Sequence, residues 1–211
     1  MANEKSTASA APTVTVGFSG ASGVQYGLRL LECLVRADYS VYVMFTKAAQ
    51  IVVGSETDCK LPARSVEQSR FLTKLLQARE GQVRAFGDEE WTSPVASGSG
   101  APRTMVVCPC SMATVSSIAH GASDNLLERA ADVVLKERGN LILVPRETPF
   151  STLHLENMLK LSRLGVSILP ANPGFYNRPQ RVEELVDFIV ARVLDQVGVA
   201  NDLTRRWGRE K

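Results

Sequence analysis

Val14-Thr-Val-Gly-Phe-Ser-Gly-Ala-Ser-Gly23 is the stretch whose reading decides the fold. Its first half alternates and is β-branched, the pattern of a buried strand. Its second half, Ser19-Gly20-Ala21-Ser22-Gly23, is a turn of small residues. From Gln25 to Arg36 the chain then spaces Leu28, Leu31, Leu34 and Val35 along one helical face. A strand that ends in glycines and opens a helix lets backbone N–H groups approach an anion at the positive helix end. The turn is therefore expected to hold a phosphate.

Outward from this stretch, strand and helix patterns alternate. Ser40 to Thr46 reads as a second strand, Lys47 to Val53 as a helix start, and Ser55 to Pro62, with Glu56, as a polar turn. Glu67 to Gln77 is an amphipathic helix and Val83 to Phe86 a short strand. Gly87 to Pro102 is a long loop of small residues, a length that inside a compact domain marks function or mobility. Thr104 to Cys108 is an apolar strand that breaks at Pro109-Cys110-Ser111, with Ser111 placed to cap a helix over Met112–His120. Asn125 to Glu137 is a helix, and Leu141 to Val144 a strand ending in Pro145-Arg146-Glu147-Thr148-Pro149. A helix over His154–Leu164, a strand over Val166–Leu169, a Pro/Gly-rich loop over Pro170–Gln180 and a last helix over Val182–Val197 complete the chain.

Near-continuous apolar strands alternating with helices predict an α/β fold, a Rossmann-like doubly wound parallel sheet with helices on both faces, in a single domain. The expected boundaries are a disordered tail over 1–12, a domain over 13–200 and a C-terminal tail over 201–211. In such a sheet ligands sit outside the carboxyl ends of the strands, where strand order reverses. The loops Gly20–Gly23 and Pro109–Thr114 are expected to flank that crevice.

With 24 basic and 22 acidic residues among 211, the composition points to no nucleic-acid or membrane surface. The apolar runs are strand-sized, which argues against a transmembrane helix, and the first residues lack a secretory apolar segment. The spacing of Cys33, Cys59, Cys108 and Cys110 fits neither a zinc site nor a disulfide framework, so reduced cytoplasmic thiols are expected. Cys108 and Cys110 read as packing residues with diverging side chains. His120 and His154 read as surface or capping residues, and no metal site is expected.

The glycines at 17, 20 and 23 give G-x-x-G-x-x-G, not the dinucleotide pattern, and Thr46-Lys47 stands where a ribose-binding acid would be wanted. A hydroxyl and a cation suit a terminal phosphate, which favours a mononucleotide. Arg146 and Glu147 follow an apolar strand directly, on the sheet edge that carries chemistry in this architecture. Arg129 and Lys136 lie seven apart on one helix, and Tyr176, Arg178 and Arg192 follow later. Cations converging on a sheet edge would bind an anionic substrate. Trp91 is either a local packing anchor or a π-face beside a cation or an allyl group.

The chain resembles the UbiX-type flavin prenyltransferases. The resemblance rests on Ser19-Gly-Ala-Ser-Gly-Val-Gln-Tyr-Gly27, Ser97-Gly-Ser99, Pro109-Cys-Ser111, Arg129-Ala-Ala-Asp-Val-Val-Leu-Lys-Glu-Arg138, Val144-Pro-Arg-Glu-Thr-Pro149 and Pro170-Ala-Asn-Pro-Gly-Phe-Tyr176. It covers nearly everything after residue 13. It implies an FMN-binding domain that adds the dimethylallyl group of dimethylallyl monophosphate to N5 and C6 of reduced FMN. The product, prenylated FMN, serves partner UbiD-type decarboxylases. It also implies a homo-oligomer, commonly a dodecamer, with active sites at subunit contacts.

The matched positions imply FMN ligands at Gly20, Ala21, Ser22, Thr46, Ser111, Met112, Ala113, Thr114 and Arg146. They imply donor-phosphate ligands at Lys136, Tyr176 and Arg192, supported by Arg129 and partly supplied by neighbouring subunits. Ser22 and Glu147 are candidates for proton handling, Glu56 for orienting the donor or relaying a proton, and Trp91 for stabilising allyl cation character. A flavin-dependent cysteine decarboxylase of the same fold would use a histidine and a Pro-Ala-Met-Asn type loop. Here the loop reads Pro170-Ala-Asn-Pro, and no histidine lies between Val24 and Ser117. A non-catalytic flavin carrier would have no need of the Lys136/Tyr176/Arg192 cluster.

Overall fold

The computed structural model describes residues 11–206 and 208. Most of the expected N-terminal tail, 1–10, and the end of the C-terminal one, 207 and 209–211, lie outside them. Strands β1 (Thr13–Phe18), β2 (Ser40–Phe45), β3 (Val83–Phe86), β4 (Thr104–Cys110), β5 (Asn140–Pro145) and β6 (Ser167–Ile168) form one parallel sheet in the order β3-β2-β1-β4-β5-β6. The helices are α1 (Val24–Arg36), α2 (Lys47–Glu56), α3 (Ser65–Leu75), α4 (Met112–His120), α5 (Leu126–Lys136), α6 (Thr152–Arg163) and α7 (Val182–Val197).

Two apolar layers flank the sheet, because alternate residues of each strand point to opposite faces. On one face Val14, Val16 and Phe18 of β1 meet Leu30 and Leu34 of α1 and Val190 and Leu194 of α7. On the other, Met105 and Val107 of β4 meet Leu126, Leu127 and Ala130 of α5 and Val115 of α4. The helices α1, α2, α3 and α7 thus lie on one face, and α4, α5 and α6 on the other. This is the doubly wound arrangement expected, and strand order reverses between β1 and β4.

Three local features depart from the sequence reading. Strand β4 runs two residues further than Cys108, through Pro109, and its register against β5 shifts between Val107 and Cys110. Two residues apart on a regular strand would share a face; this bulge is why Cys108 packs in one layer and Cys110 in the other. Burial pushes both thiols up, Cys110 to about 12. Helix α2 continues through Glu56, which the sequence placed in a turn. The long loop after β3 is fastened: Val95 is fully buried in a single 3-10 turn (Pro94–Ala96), and Ala96 O accepts from Arg129 Nε at 3.1 Å.

Candidate functional site

The carboxyl ends of β1 and β4 meet in a small hydrogen-bonded knot. Ser19, wholly buried, donates its hydroxyl to Pro109 O at 3.3 Å and accepts from Ser111 N at 2.7 Å. Its own N–H also reaches Pro109 O, at 3.2 Å. The knot sets Ser111 as the N-cap of α4, where its side chain accepts from Thr114 N at 3.3 Å and sits 3.1 Å from Thr114 Oγ1. Among the described residues the N–H groups of Met112 and Ala113 have no acceptor. A helix start with two open donors and two hydroxyls is suited to an anion.

Ser19→Ala removes a donor and an acceptor from this buried knot and leaves Ser111 N–H without its partner. The expected loss is about 1–3 kcal/mol in a urea titration. An unchanged midpoint would mean the knot contributes nothing to the fold.

The turn after β1 does something the sequence did not suggest. The N–H groups of Gly23 and Val24, which open α1, donate to Glu56 Oε2 at 2.9 and 3.1 Å. The anion at this helix end is the chain's own carboxylate, brought from the end of α2. The expectation that this N-terminus holds a phosphate is thus corrected; the helix start with open donors is that of α4. Ser22 also hydrogen-bonds Glu56, and Arg146 from the end of β5 adds its charge. Burial pushes the Glu56 carboxyl up, but the hydrogen bonds from Ser22, Gly23 and Val24 and the Arg146 charge outweigh it and hold it below its usual value. The cap is therefore ionised at neutral pH and weakens only as pH falls through that lowered value.

Gly20 brings this turn against α2: a Cβ there would stand 2.6 Å from Ala48 Cβ. Thr46 caps α2, accepting from Ala49 N at 3.1 Å, which leaves its O–H to donate outward. Lys47 N–H is taken by Asp88, whose own carbonyl accepts from Leu126 N at 2.9 Å. Asp88 thus ties the starts of α2 and α5 to the turn that carries Trp91. Trp91 is 47% exposed. Glu147 follows Arg146 at the end of β5, half-buried, and accepts from Thr148 N at 3.1 Å. Ser22, Glu56, Thr46, Ser111 to Thr114, Arg146 and Glu147 therefore share the carboxyl edge of the sheet at its switch point.

The remaining cations lie elsewhere in the chain. Arg129 bonds Asp132 at 2.9 Å and Ala96 O, and Lys136 pairs with Glu137, whose carboxyl lies against Gly98. Both thus flank the Pro94–Ser99 segment, on the α5 face of the sheet. Tyr176 packs edge-on against Phe188 of α7, rings 5.6 Å apart, and shares a pocket with Arg192 on the other face. Lys136 closes an 11-residue helix, so it sits about 15 Å along α5 from the carboxyl edge. Arg192, ten residues into α7, lies equally far down. One chain does not bring Lys136, Tyr176 and Arg192 together.

Sequence reasoning passed over Ser19 and Asp88 as positioning groups. The available signal for Ser19 was a hydroxyl at the end of an apolar strand, where burial demands a partner. His154 closes a capping box with Ser151, and His120 bonds Ser116 O at 2.8 Å, so both hold helix positions.

The Flavoprotein family model matches residues 2–194. The flavin prenyltransferase UbiX of Pseudomonas aeruginosa is 57% identical over 197 residues, covering 93% of this chain and 94% of that one. A crystal structure of AnUbiX in complex with FMN and dimethylallyl pyrophosphate aligns with a TM-score of 0.84 at 34% identity, covering 95% of this chain and all of that one. A dodecameric FMN-dependent UbiX-like decarboxylase from Escherichia coli aligns with a TM-score of 0.82 at 39% identity, over 93% of this chain and all of that one. On this identity and this likeness of fold, the chain belongs to the Flavoprotein family and, within it, to the UbiX-type flavin prenyltransferases.

Proposed function

We propose that this chain transfers the dimethylallyl group of dimethylallyl monophosphate to N5 and C6 of reduced FMN, making prenylated FMN for a UbiD-type decarboxylase. The observation that carries the reading is the Ser22–Glu56 pair facing Arg146, beside the open N-terminus of α4. FMN fits this donor set. Its phosphate suits the Met112 and Ala113 N–H groups, the hydroxyls of Thr46, Ser111 and Thr114, and Arg146. Gly20 and Ala21 keep the turn low enough for a flat ring to approach. Reduced FMN supplies the nucleophilic nitrogen and carbon.

The protein supplies placement and charge. Lys136, Arg192 and the Tyr176 hydroxyl, braced by Arg129, stabilise the negative charge that develops on the departing phosphate. Side chains alone can neutralise a monophosphate. Glu147 and Ser22 handle protons at the flavin edge or the leaving phosphate. Glu56 fixes Ser22 while it caps α1. Trp91 offers its π-face to the allylic carbons as they gain positive character.

Because Lys136 and Arg192 lie on opposite faces and far from the flavin edge of their own chain, neighbouring subunits complete the site. A homo-oligomer, a dodecamer as in the E. coli relative, supplies them. Leu153, Phe175 and Val182, each 69% exposed, are apolar surface for such contacts. Among the described residues no helix is long and apolar enough to cross a membrane. The four unpaired cysteines support a reducing, cytoplasmic compartment.

Glu147→Gln keeps the shape and removes the proton-transferring group. With reduced FMN and dimethylallyl phosphate under anaerobic conditions, phosphate release is expected to slow by about 100-fold or more, with FMN affinity retained. Wild-type turnover would remove Glu147 from the mechanism.

A further inference from the structure

Asp195, one turn beyond Arg192 on α7, carries two arginines at once. Arg192 Nη1 donates to its Oδ2 at 2.8 Å. Arg206, from the chain beyond α7, reaches both oxygens, with Nη2 at 2.7 Å from Oδ1 and Nη1 at 3.3 Å from Oδ2. Asn201 Nδ2 adds a fourth donor to Oδ1 at 3.2 Å. The segment 199–206 that brings Arg206 here is pinned in place. Val199 is buried in the core, and Asn201 Nδ2 also reaches the carbonyls of Ala191 and Val199 at 3.4 and 3.3 Å. Tyr176, Arg192, Arg205 and Arg206 border one pocket of about 410 Å³.

We propose that Arg206 and Asp195 form a clamp that holds Arg192 ready for the donor phosphate, so that the C-terminal segment 199–206 is part of that site. The inference rests on the reading of Tyr176 and Arg192 as phosphate ligands. Three arginines and one carboxylate line this pocket, an excess of positive charge that suits a doubly charged phosphate. To bind it, Arg192 must leave Asp195. A carboxylate with Arg192 as its sole partner would resist that exchange, because it would be left uncompensated. Arg206 and Asn201 keep Asp195 satisfied, so Arg192 can change partners at little cost. Arg206 is thus a positioning residue that acts through Asp195. The expected C-terminal tail, as far as Arg206, is a folded strap.

The test uses the FMN-loaded, full-length protein. Donor KM and kcat are measured, together with the affinity for inorganic phosphate by calorimetry. Arg206→Gln leaves Arg192 as the only cation on Asp195, so donor KM and the phosphate Kd are expected to rise about fivefold, with kcat changed less. Adding Asp195→Asn to that variant removes the competing charge and is expected to restore both values. A general folding defect at Arg206 would not be repaired this way. Should Arg206→Gln fail to fold, Arg206→Met, which keeps the apolar stem and removes the charge, carries the same comparison with and without Asp195→Asn. Wild-type values in Arg206→Gln, or a double variant as impaired as the single one, would overturn the clamp. Arg192→Ala separates the two levels: a raised KM there with a normal Arg206→Gln removes the clamp alone. An unchanged KM in Arg192→Ala removes the phosphate-site reading and the clamp with it.

Discussion

Gly27→Ala is expected to be the most destabilising single methyl that can be added near the site. Its Cβ would stand 2.2 Å from Phe18 Cε1 and 2.4 Å from Cys108 O. The first neighbour is a wholly buried ring stacked on Phe45, with centroids 4.4 Å apart. The second is a backbone carbonyl within the β4 bulge. Neither can yield, since one is locked in the core and the other is backbone. Helix α1 would have to lift off β1 and β4, opening the layer that Leu30, Leu31 and Leu34 fill. Overpacking of this severity costs about 3 kcal/mol or more, occasionally the whole fold. For a chain of this size that lowers Tm by roughly 6–12 °C. Thermal melts of the purified variant check it, and a Tm within a degree of wild type would mean that α1 is free to shift. The same lift would pull Gly23 and Val24 away from Glu56, so FMN affinity is expected to fall with stability.

Lys136→Ala carries the second large effect. Loss of one cation from a site where a phosphate departs costs about 100-fold or more in kcat/KM. Its side chain lies at the far end of α5 from its own chain's flavin edge, beside Gly98 and Glu137. The lost activity should therefore be recoverable between subunits. When Lys136→Ala and Ser22→Ala chains are unfolded, mixed and refolded together, some sites combine an intact Ser22 edge with a neighbour's intact Lys136. Activity well above the sum of the two parents is expected. Activity no higher than that sum would place both residues in a site built by one chain.

The opening stretch made the architecture legible, because apolar alternation and helical spacing report burial directly. The boundaries of β3, α4 and α7 agree residue for residue with the sequence reading. What the sequence hid were long-range hydrogen bonds. A strand–glycine–helix turn announces an anion site but not who fills it. Here Glu56, 33 positions away, does so. Local pattern gives no hint of that, since a carboxylate ending α2 looks like any solvated helix charge. Ser19 and Asp88 escaped for the same reason: each acts on partners far along the chain, Ser19 on Pro109 and Ser111, Asp88 on Lys47 and Leu126. The spread of Lys136 and Arg192 over opposite faces was equally invisible, because seven-residue spacing fixes a helix face but not which side of the sheet it covers.

The most direct test of flavin prenylation by this chain is the mass of the flavin itself. The purified protein is incubated anaerobically with reduced FMN and dimethylallyl phosphate, and the flavin is then released and weighed. One dimethylallyl unit gained per flavin, with one inorganic phosphate released, is the predicted result. Flavin of unchanged mass, recovered from protein that has bound both molecules, would contradict it.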